Sequence, residues 1–319
     1  MAISELTMTA YSILELLSAR FGEEVQTNAV LAPYTSARIG GRADILVTAQ
    51  SADDLVAIVE LLWQEGIEPV ILGGGSNVLV SDKGVRGVTV INRAKAVRFN
   101  EGVSPSVWGE SGVVFSNLSN RCAAKGLAGL EWAGTVPGTI GGAVYGNAGA
   151  FGGDMAGSLK WAEVLTREGR ERWPVESLGY GYRTSVLKRQ ERRGIVLAAE
   201  LGLRLSSREI VAATMAAYAE RRKSTQPPGA SMGSMFKNPP GDKAGRLIEA
   251  AGLKGRRVGN VEISSVHANF FVNRGRANAS DVKSLIEITL RSVKERLGVE
   301  LELEIELVGE DMQLAGQAA

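Results

Sequence analysis

The sequence predicts an α+β protein in which two glycine-loop units precede a third, compact α+β segment. Three observations carry that expectation. Short strand-like runs are interleaved with amphipathic helical stretches along the chain. Eight of the twenty residues from Gly134 to Gly153 are glycine, against 39 in 319 overall, and a second cluster stands at Gly73-Gly74-Gly75. Finally, Ser224 to Gly229 (STQPPG) ends a long helix sharply, because two adjacent prolines cannot continue it.

The glycine density between Leu130 and Asp154 is costly, since glycine loses the most backbone freedom on folding. Val136, Ile140, Val144, Tyr145 and Phe151 lie between the glycines, whereas a flexible linker would be polar. The stretch therefore reads as a buried, close-packed loop feeding a short helix from Thr139, with N–H donors that form an anion site at the helix start. Two such loops point to one long ligand containing a pyrophosphate; two tight turns without a ligand are the alternative.

Composition narrows the function classes. Hydrophobic residues make up 45% and charged residues 22%, and the net charge is +1, so no polyanion or membrane-surface partner is implied. No segment approaches the ~18 consecutive apolar residues of a membrane helix, and the N-terminus reads as an amphipathic helix, not a signal peptide. The lone Cys122 rules out an internal disulfide and fits a reducing cytoplasm. With one histidine, His267, and one cysteine, a His/Cys metal cluster is not available, so no metal is expected.

In chain order, Tyr11–Arg20 is helical by spacing, with Ile13, Leu14, Leu16 and Leu17 on one side. A polar stretch broken by Pro33 and Gly40-Gly41 leads to a strand at Ile45–Thr48. Ser51 to Asp54 caps a helix reaching Gly66, with Leu55, Ile58, Val59 and Leu62 on its buried stripe. Strands follow at Pro69–Leu72, Val78–Val80, Val88–Ile91 and Ala96–Phe99. The parts then recur: a strand at Ser106–Trp108, a helix over Val113–Lys125, the long glycine loop, and strands at Leu159–Thr166 and Ile195–Leu205. Between those strands, Gly179–Lys188 (GYGYRTSVLK) is a tight aromatic turn presenting an arginine. Ser206 to Glu209 is a capping box for a helix to Lys223, which places a boundary between domains 28–205 (subdomains 28–100 and 101–205) and 206–310. The last domain holds helices at Asp242–Ala251 and Ala279–Leu297 and strands at Ala268–Asn273 and Glu302–Val308; the tail after Glu310 is expected to fray.

Neither glycine loop is a standard nucleotide motif. No G-x-x-x-x-G-K-[ST] run exists, and G-x-G-x-x-G fails because Val78 stands where the third glycine belongs. Six motifs in order instead carry a resemblance: ILGGGSNVLVSD at 71–82, LEWAGTVPGTIGGAVYGNAGAFGGD at 130–154, YRTS at 182–185, GSMFKNP at 233–239, AGRLIEAAGLKG at 244–255 and LELEIELVG at 301–309. Over residues 28 to 310 the sequence resembles the UDP-N-acetylenolpyruvoylglucosamine reductase family of murein precursor synthesis, in the form lacking an extra tyrosine-bearing loop.

The resemblance implies a two-subdomain FAD-binding fold of the vanillyl-alcohol-oxidase (PCMH) type followed by an α+β substrate domain. It implies non-covalent FAD held by Gly73, Gly74, Gly75, Ser76, Asn77, Gly138, Thr139, Gly141, Gly142, Asn147 and Gly149. It also implies NADPH as co-substrate, a UDP-sugar substrate contacted by Tyr182, Gln226, Lys237 and Asn238, and catalysis by Arg183, Ser234 and Glu304. The sequence departs from the family at Thr135, where glycine is usual, and at Glu262, where glutamine is common.

The reaction that the resemblance implies is a reduction that builds negative charge beside a carboxylate. A planar guanidinium engages a carboxylate bidentately, which makes Arg183 the candidate; a surface arginine after a turn is the plainer reading. Ser234 is the candidate proton donor to a basic α-carbon, or else a turn residue. Glu304 would share one face of an alternating strand with Glu302 and Glu306. His267 reads as a structural or substrate-edge residue and Cys122 as core. Arg221-Arg222-Lys223 either neutralises phosphates or complements a helix C-terminus. Two rival readings are another FAD oxidoreductase of the same fold and a nucleotide-sugar-binding protein without catalysis.

Overall fold

The N-terminal stretch folds as α1 (Ala2–Phe21) in a computed structural model that describes residues 2–314, with side chains from Ser12 onward. Ile13 and Leu17 are buried one turn apart, whereas Leu16 is 44% exposed. The stripe is thus a narrow i, i+4 pair and not the four-residue face expected from spacing. Next comes β1 (Val25–Val30), a strand the sequence does not announce: four of its six residues are exposed, which erases the alternation by which strands are read. Then follow β2 (Arg42–Ala49) and α2 (Ala52–Gln64). Ser51 caps α2 as expected, its Oγ accepting from Asp54 N at 3.0 Å, and Leu55, Ile58, Val59 and Leu62 are all buried.

The chain continues through β3 (Val70–Leu72), β4 (Val78–Val80), β5 (Val85–Asn92), β6 (Val97–Asn100), β7 (Ser106–Glu110), α3 (Phe115–Ala124), β8 (Leu127–Ala128) and α4 (Ile140–Gly146). A tight β9–β10 pair (Gly149–Ala150, Gly153–Asp154), the single turn α5 (Met155–Ser158), β11 (Leu159–Thr166), β12 (Gly169–Pro174), β13 (Ile195–Gly202) and β14 (Arg204–Leu205) come next. The last third holds α6 (Arg208–Thr225), β15 (Ala230–Ser234), α7 (Ala244–Ala250), β16 (Arg257–Val258), β17 (Val261–Ile263), β18 (Phe270–Asn273), α8 (Ala279–Leu297) and β19 (Glu306–Val308).

These elements form two units. The first comprises Met1–Leu46, Gly75–Thr89 and Lys223–Ala319, and the second Val47–Gly74 and Val90–Arg222. The chain passes between them within β2 and β5, and also between Gly74 and Gly75.

The second unit is built on an antiparallel five-stranded sheet ordered β12-β11-β13-β7-β6. Alternation sends Val107, Ala162, Val164, Ala199 and Leu201 into a core with Phe115, Trp132 and Ile140. Phe115 and Trp132 meet edge to face at 5.2 Å. Cys122 is buried in this core, and burial pushes its thiol up to about 12. The hairpin strand β12 was not legible because Gly169–Pro174 is mostly polar and its one buried side chain is Trp173.

The first unit packs α8 and α7 on the sheet β15-β18-β17-β16, with Val282, Leu285, Ile286 and Val293 of α8 in the core. Ala37, Ile39 and Leu79 join it from distant stretches of chain. Asp82 caps α8, accepting from Ala279 N at 2.7 Å and Ser280 N at 2.9 Å. The expected strand Glu302–Val308 is shorter: only Glu306–Val308 forms β19, parallel to β4. Residues 302–304 hydrogen-bond the 235–237 segment, and of the three glutamates only Glu302 is exposed. The tail does not fray at Glu310, since Met312 and Leu314 are buried in the same core; residues beyond 314 lie outside the described part.

Glu262 on β17 is buried and ion-paired to both Arg274 and Arg257. The hydrogen bond from Arg274, aided by Arg257 and opposed by burial, holds its carboxyl below the ordinary 4.5. A depressed carboxyl contributes stability above its unfolded value and loses that contribution as pH falls through the folded one. Glu262→Gln is expected to destabilise the protein by roughly 1.5–3 kcal/mol near neutral pH. It should also flatten the loss of stability below about pH 4.5, read by thermal denaturation across pH.

Candidate active site

The two glycine loops meet. β3 delivers Gly73 and Gly74 directly against Gly138 and Thr139 within the second unit. A Cβ on Gly74 would lie 2.8 Å from Gly138 Cα, and one on Gly73 would overlap Thr139 Oγ1. Gly138 itself adopts φ 103°, which favours glycine. On the far side of the loop, a Cβ on Gly141 would lie 2.9 Å from Ser111 Cβ. Gly142 is different: its nearest neighbour would be Thr139 Oγ1 at 4.0 Å, so one glycine of the run opens onto free space.

Two of the N–H groups at the start of α4 have protein partners. Ile140 N donates to Val113 O at 3.0 Å and Gly141 N to Ser111 O at 2.8 Å, so these N–H groups are bonded to protein. The loop docks like a strand edge, with a bridge between Val114 and Thr139, which engages the first two N–H groups of α4 and leaves Gly142 outside that contact. Thr135, where glycine is usual in the family, is absent from the residues of left-handed backbone; Gly138 takes that conformation instead. Arg222 reaches Thr135 Oγ1 at 3.5 Å, and burial pushes its guanidinium down.

At the other end of α4 the carbonyls left without helical partners are bonded by the turn that carries Arg183. Tyr180 donates its hydroxyl to Val144 O at 2.9 Å and Ser185 donates its own to Tyr145 O at 2.6 Å. Asn147, in the left-handed conformation at φ 47°, donates Nδ2–H to Gly181 O at 2.9 Å and accepts from Ala156 N at 3.0 Å. Both ends of the Asn147 amide are therefore bonded to protein. Arg183 closes the latch, donating from Nη2 to Gly149 O at 2.8 Å, while Tyr182 beside it is 54% exposed. Asn147, Phe151 and Arg183 all have φ near +50°, a conformation that costs non-glycine residues roughly 1–3 kcal/mol each and clusters at working sites. Phe151 is held by a parallel stack on Tyr218 of α6, ring centroids 4.5 Å apart.

The first unit gathers the other motif residues. Gly75, at φ 57°, packs so tightly on Tyr34 O that a Cβ would overlap it, and its carbonyl accepts from Ser36 N at 2.9 Å. Ser76 is half-buried beside it, and Asn77 donates Nδ2–H to Glu304 O at 3.0 Å. Glu304 N donates to Met235 O at 2.9 Å, which brings Glu304 beside Ser234 along the backbone. Ser234 ends β15 at an irregularity that Gly233 permits at φ 77°, and its hydroxyl makes no hydrogen bond to the described residues. Lys237 donates its backbone N–H to Glu302 O at 2.8 Å, and its ammonium ion-pairs with the Glu302 carboxylate. Asn238 accepts from Ala244 N at 3.0 Å and so caps α7, while Gln226 is half-buried before β15. Gly73, Gly74, Gly138, Thr139, Gly141, Gly142, Asn147, Gly149, Tyr182 and Arg183 thus fall in one unit, and Gly75, Ser76, Asn77, Gln226, Ser234, Lys237, Asn238 and Glu304 in the other.

Asn269 is a functional support that sequence reasoning missed. Its amide accepts from Phe236 N at 3.0 Å and donates to Phe236 O at 2.8 Å, and its carbonyl accepts from Met235 N at 2.9 Å. His267 Nδ1 accepts from Asn269 N at 3.2 Å, which leaves the ring proton on Nε2, and burial pushes the imidazole down. Its ring and that of Phe270 meet at a steep angle, centroids 5.0 Å apart.

Close approach of two glycine loops and an adjoining open glycine fit a large flat ligand lying along the backbone, which is what a dinucleotide requires. Residues 43–173 match the family described as FAD binding domain, so fold and loops define a flavin-binding α+β protein. Residues 224–308 match UDP-N-acetylenolpyruvoylglucosamine reductase, C-terminal domain. The chain is 43% identical over 290 residues to the UDP-N-acetylenolpyruvoylglucosamine reductase of Chloroflexus aggregans, covering 89% of this chain and 97% of the relative. It is 46% identical over 279 residues to that of Rubrobacter xylanophilus, covering 87% and 93%. The crystal structure of the reductase from Thermus caldophilus aligns with a TM-score of 0.74 at 37% identity, over 88% of this chain and 97% of that one. The chain belongs to the UDP-N-acetylenolpyruvoylglucosamine reductase family.

The latch under Arg183 makes a direct prediction. Ser185→Ala removes the hydrogen bond from the Ser185 hydroxyl to the carbonyl of Tyr145, which costs about 1 kcal/mol. The variant should melt earlier and be cleaved faster in the 179–188 turn under limited proteolysis, whereas Ser185→Thr should keep part of the protection.

Proposed function

We propose that this chain reduces the enolpyruvyl ether of UDP-N-acetylglucosamine-enolpyruvate to UDP-N-acetylmuramate, using NADPH, in the cytoplasmic synthesis of peptidoglycan precursors. The observation that carries this reading is that one chain combines the FAD binding domain with the reductase C-terminal domain, alongside relatives of that name over nearly their whole length. FAD, held non-covalently, supplies the two reducing equivalents that it takes from NADPH. The chain's own residues do the rest. The 43–173 stretch and its glycine loops bind the flavin, and the segment after Arg222 binds the nucleotide sugar, with Tyr182, Gln226, Lys237 and Asn238 as substrate contacts.

Arg183 engages the substrate carboxylate and stabilises the negative charge that builds beside it during reduction. The fixed turn around it supports this role, because a preorganised cation loses no energy reorienting as the charge appears. Ser234 donates its hydroxyl proton to the α-carbon. A serine is a weak acid, but the carbanionic α-carbon is a strong base, and the Ser234 hydroxyl has no competing acceptor among the described residues. Glu304, one hydrogen bond away along the backbone, is the third catalytic group.

NADPH oxidation that depends on added UDP-N-acetylglucosamine-enolpyruvate tests the whole reading; oxidation indifferent to that compound would favour another flavin oxidoreductase of the same fold. Flavin released intact by acid would set the protein apart from oxidases that attach FAD through histidine or cysteine. Gly74→Val must push the two loops apart, so flavin content per protein should fall well below wild type while the protein stays folded. Ser234→Ala should keep flavin, substrate binding and reduction by NADPH, and slow substrate-dependent flavin reoxidation by ~10²–10⁴-fold, the contribution of a positioned general acid. Wild-type reoxidation in stopped flow would leave water or Glu304 as the proton source.

A further inference from the structure

The outer face of the five-stranded sheet carries a row that the reductase reading does not use. The register aligns Arg98, Trp108, Glu200 and Trp161 across β6, β7, β13 and β11. The neighbouring row is closed by the start of α2: Glu110 accepts from Ala52 N at 2.9 Å, and Arg170 ion-pairs with both Asp53 and Glu163. Beyond that wall a cavity of about 540 Å³ opens over Trp108, Glu200 and Trp161, all half-buried.

Each tryptophan is covered from outside by an arginine of the flanking strand. Arg98 of β6 lies over Trp108 at 4.4 Å, and Arg172 of β12 lies over Trp161 at 4.0 Å. Glu200 stands between the two indoles on the strand they share, and its carboxylate makes no hydrogen bond or ion pair with any described residue. Four carboxylates and three guanidiniums line the cavity, which leaves a net charge of −1.

We propose that this cavity binds a small organic ammonium ion, with its positive nitrogen over Glu200 and its alkyl groups against Trp108 and Trp161. Paired indole faces and a carboxylate are the means by which alkylated ammonium groups are recognised. The size selects within that class. The two tryptophans are separated by two strand spacings, about 9.5 Å. A flat group sandwiched at van der Waals contact needs only about 7 Å, so the slot suits a tetrahedral, alkylated nitrogen better than a planar ring.

Choline and its neutral isostere 3,3-dimethylbutan-1-ol distinguish charge recognition from apolar filling on the unmodified, flavin-loaded full chain. Saturation-transfer NMR and calorimetry should show saturable choline binding, with the neutral alcohol about tenfold weaker or worse. Glu200→Gln should weaken choline by about the same factor while leaving flavin content and melting temperature as in wild type. Trp161→Leu should abolish the binding. Absence of saturable choline binding, equal binding of the alcohol, or unchanged affinity in Glu200→Gln would overturn the proposal and leave the row as a cross-strand ladder facing water. The comparison of choline with the alcohol decides even if a variant fails to fold.

Discussion

Everything in the second unit's candidate site depends on two backbones being allowed to touch. Gly73 and Gly74 lie against Thr139 and Gly138 with no room for a single added carbon. That contact fixes where β3 ends, and so where the chain leaves for the other unit at Gly75. It also fixes the start of α4, whose first N–H groups are tied to Ser111 and Val113. From there the constraint propagates along α4 to its last carbonyls, which Tyr180 and Ser185 bond, and then to the backbone of Arg183. A methyl group at Gly74 would therefore be felt as far away as the guanidinium.

The strain at Asn147, Phe151 and Arg183 makes sense in the same frame. Three non-glycine residues in left-handed conformations would relax if their surroundings did not hold them. The Asn147 amide, the Phe151–Tyr218 stack and the Arg183–Gly149 bond are those restraints. The first unit uses a different device, in which side-chain amides act as extra strands: Asn269 holds the 235–236 backbone and Asn77 holds Glu304.

Much of this was legible in the sequence because it is local. The stripe of α2, its Ser51 cap, the burial of Cys122 and the closeness of the glycine loops all follow from spacing or residue size. What was not legible is set by partners far along the chain. β1 and β12 lack alternation because their burial comes from neighbours rather than from their own pattern. The LELE run reads as one strand, yet it divides between Met235–Lys237 and β4, a choice no local propensity encodes. Nor does the sequence show that Ser111 and Val113 bond the first two N–H groups of α4. Nor does the sequence show that Asp82 bonds the start of α8, some two hundred residues on.

The division of the chain has a consequence for its birth on the ribosome. The second unit ends at Arg222, so all of its strands and its core are available while the C-terminal stretch is still being made. The first unit has no such independence: β4 waits for β19 as its parallel partner, and Asp82 waits for the start of α8. Synthesis at about 5–20 residues per second leaves roughly 10–40 s between Leu79 and the start of α8, during which Leu79 and Ile39 have no core to enter. The nascent chain must keep those early apolar stretches from straying until residues 232–314 emerge, with Met312 and Leu314 among those that close over them.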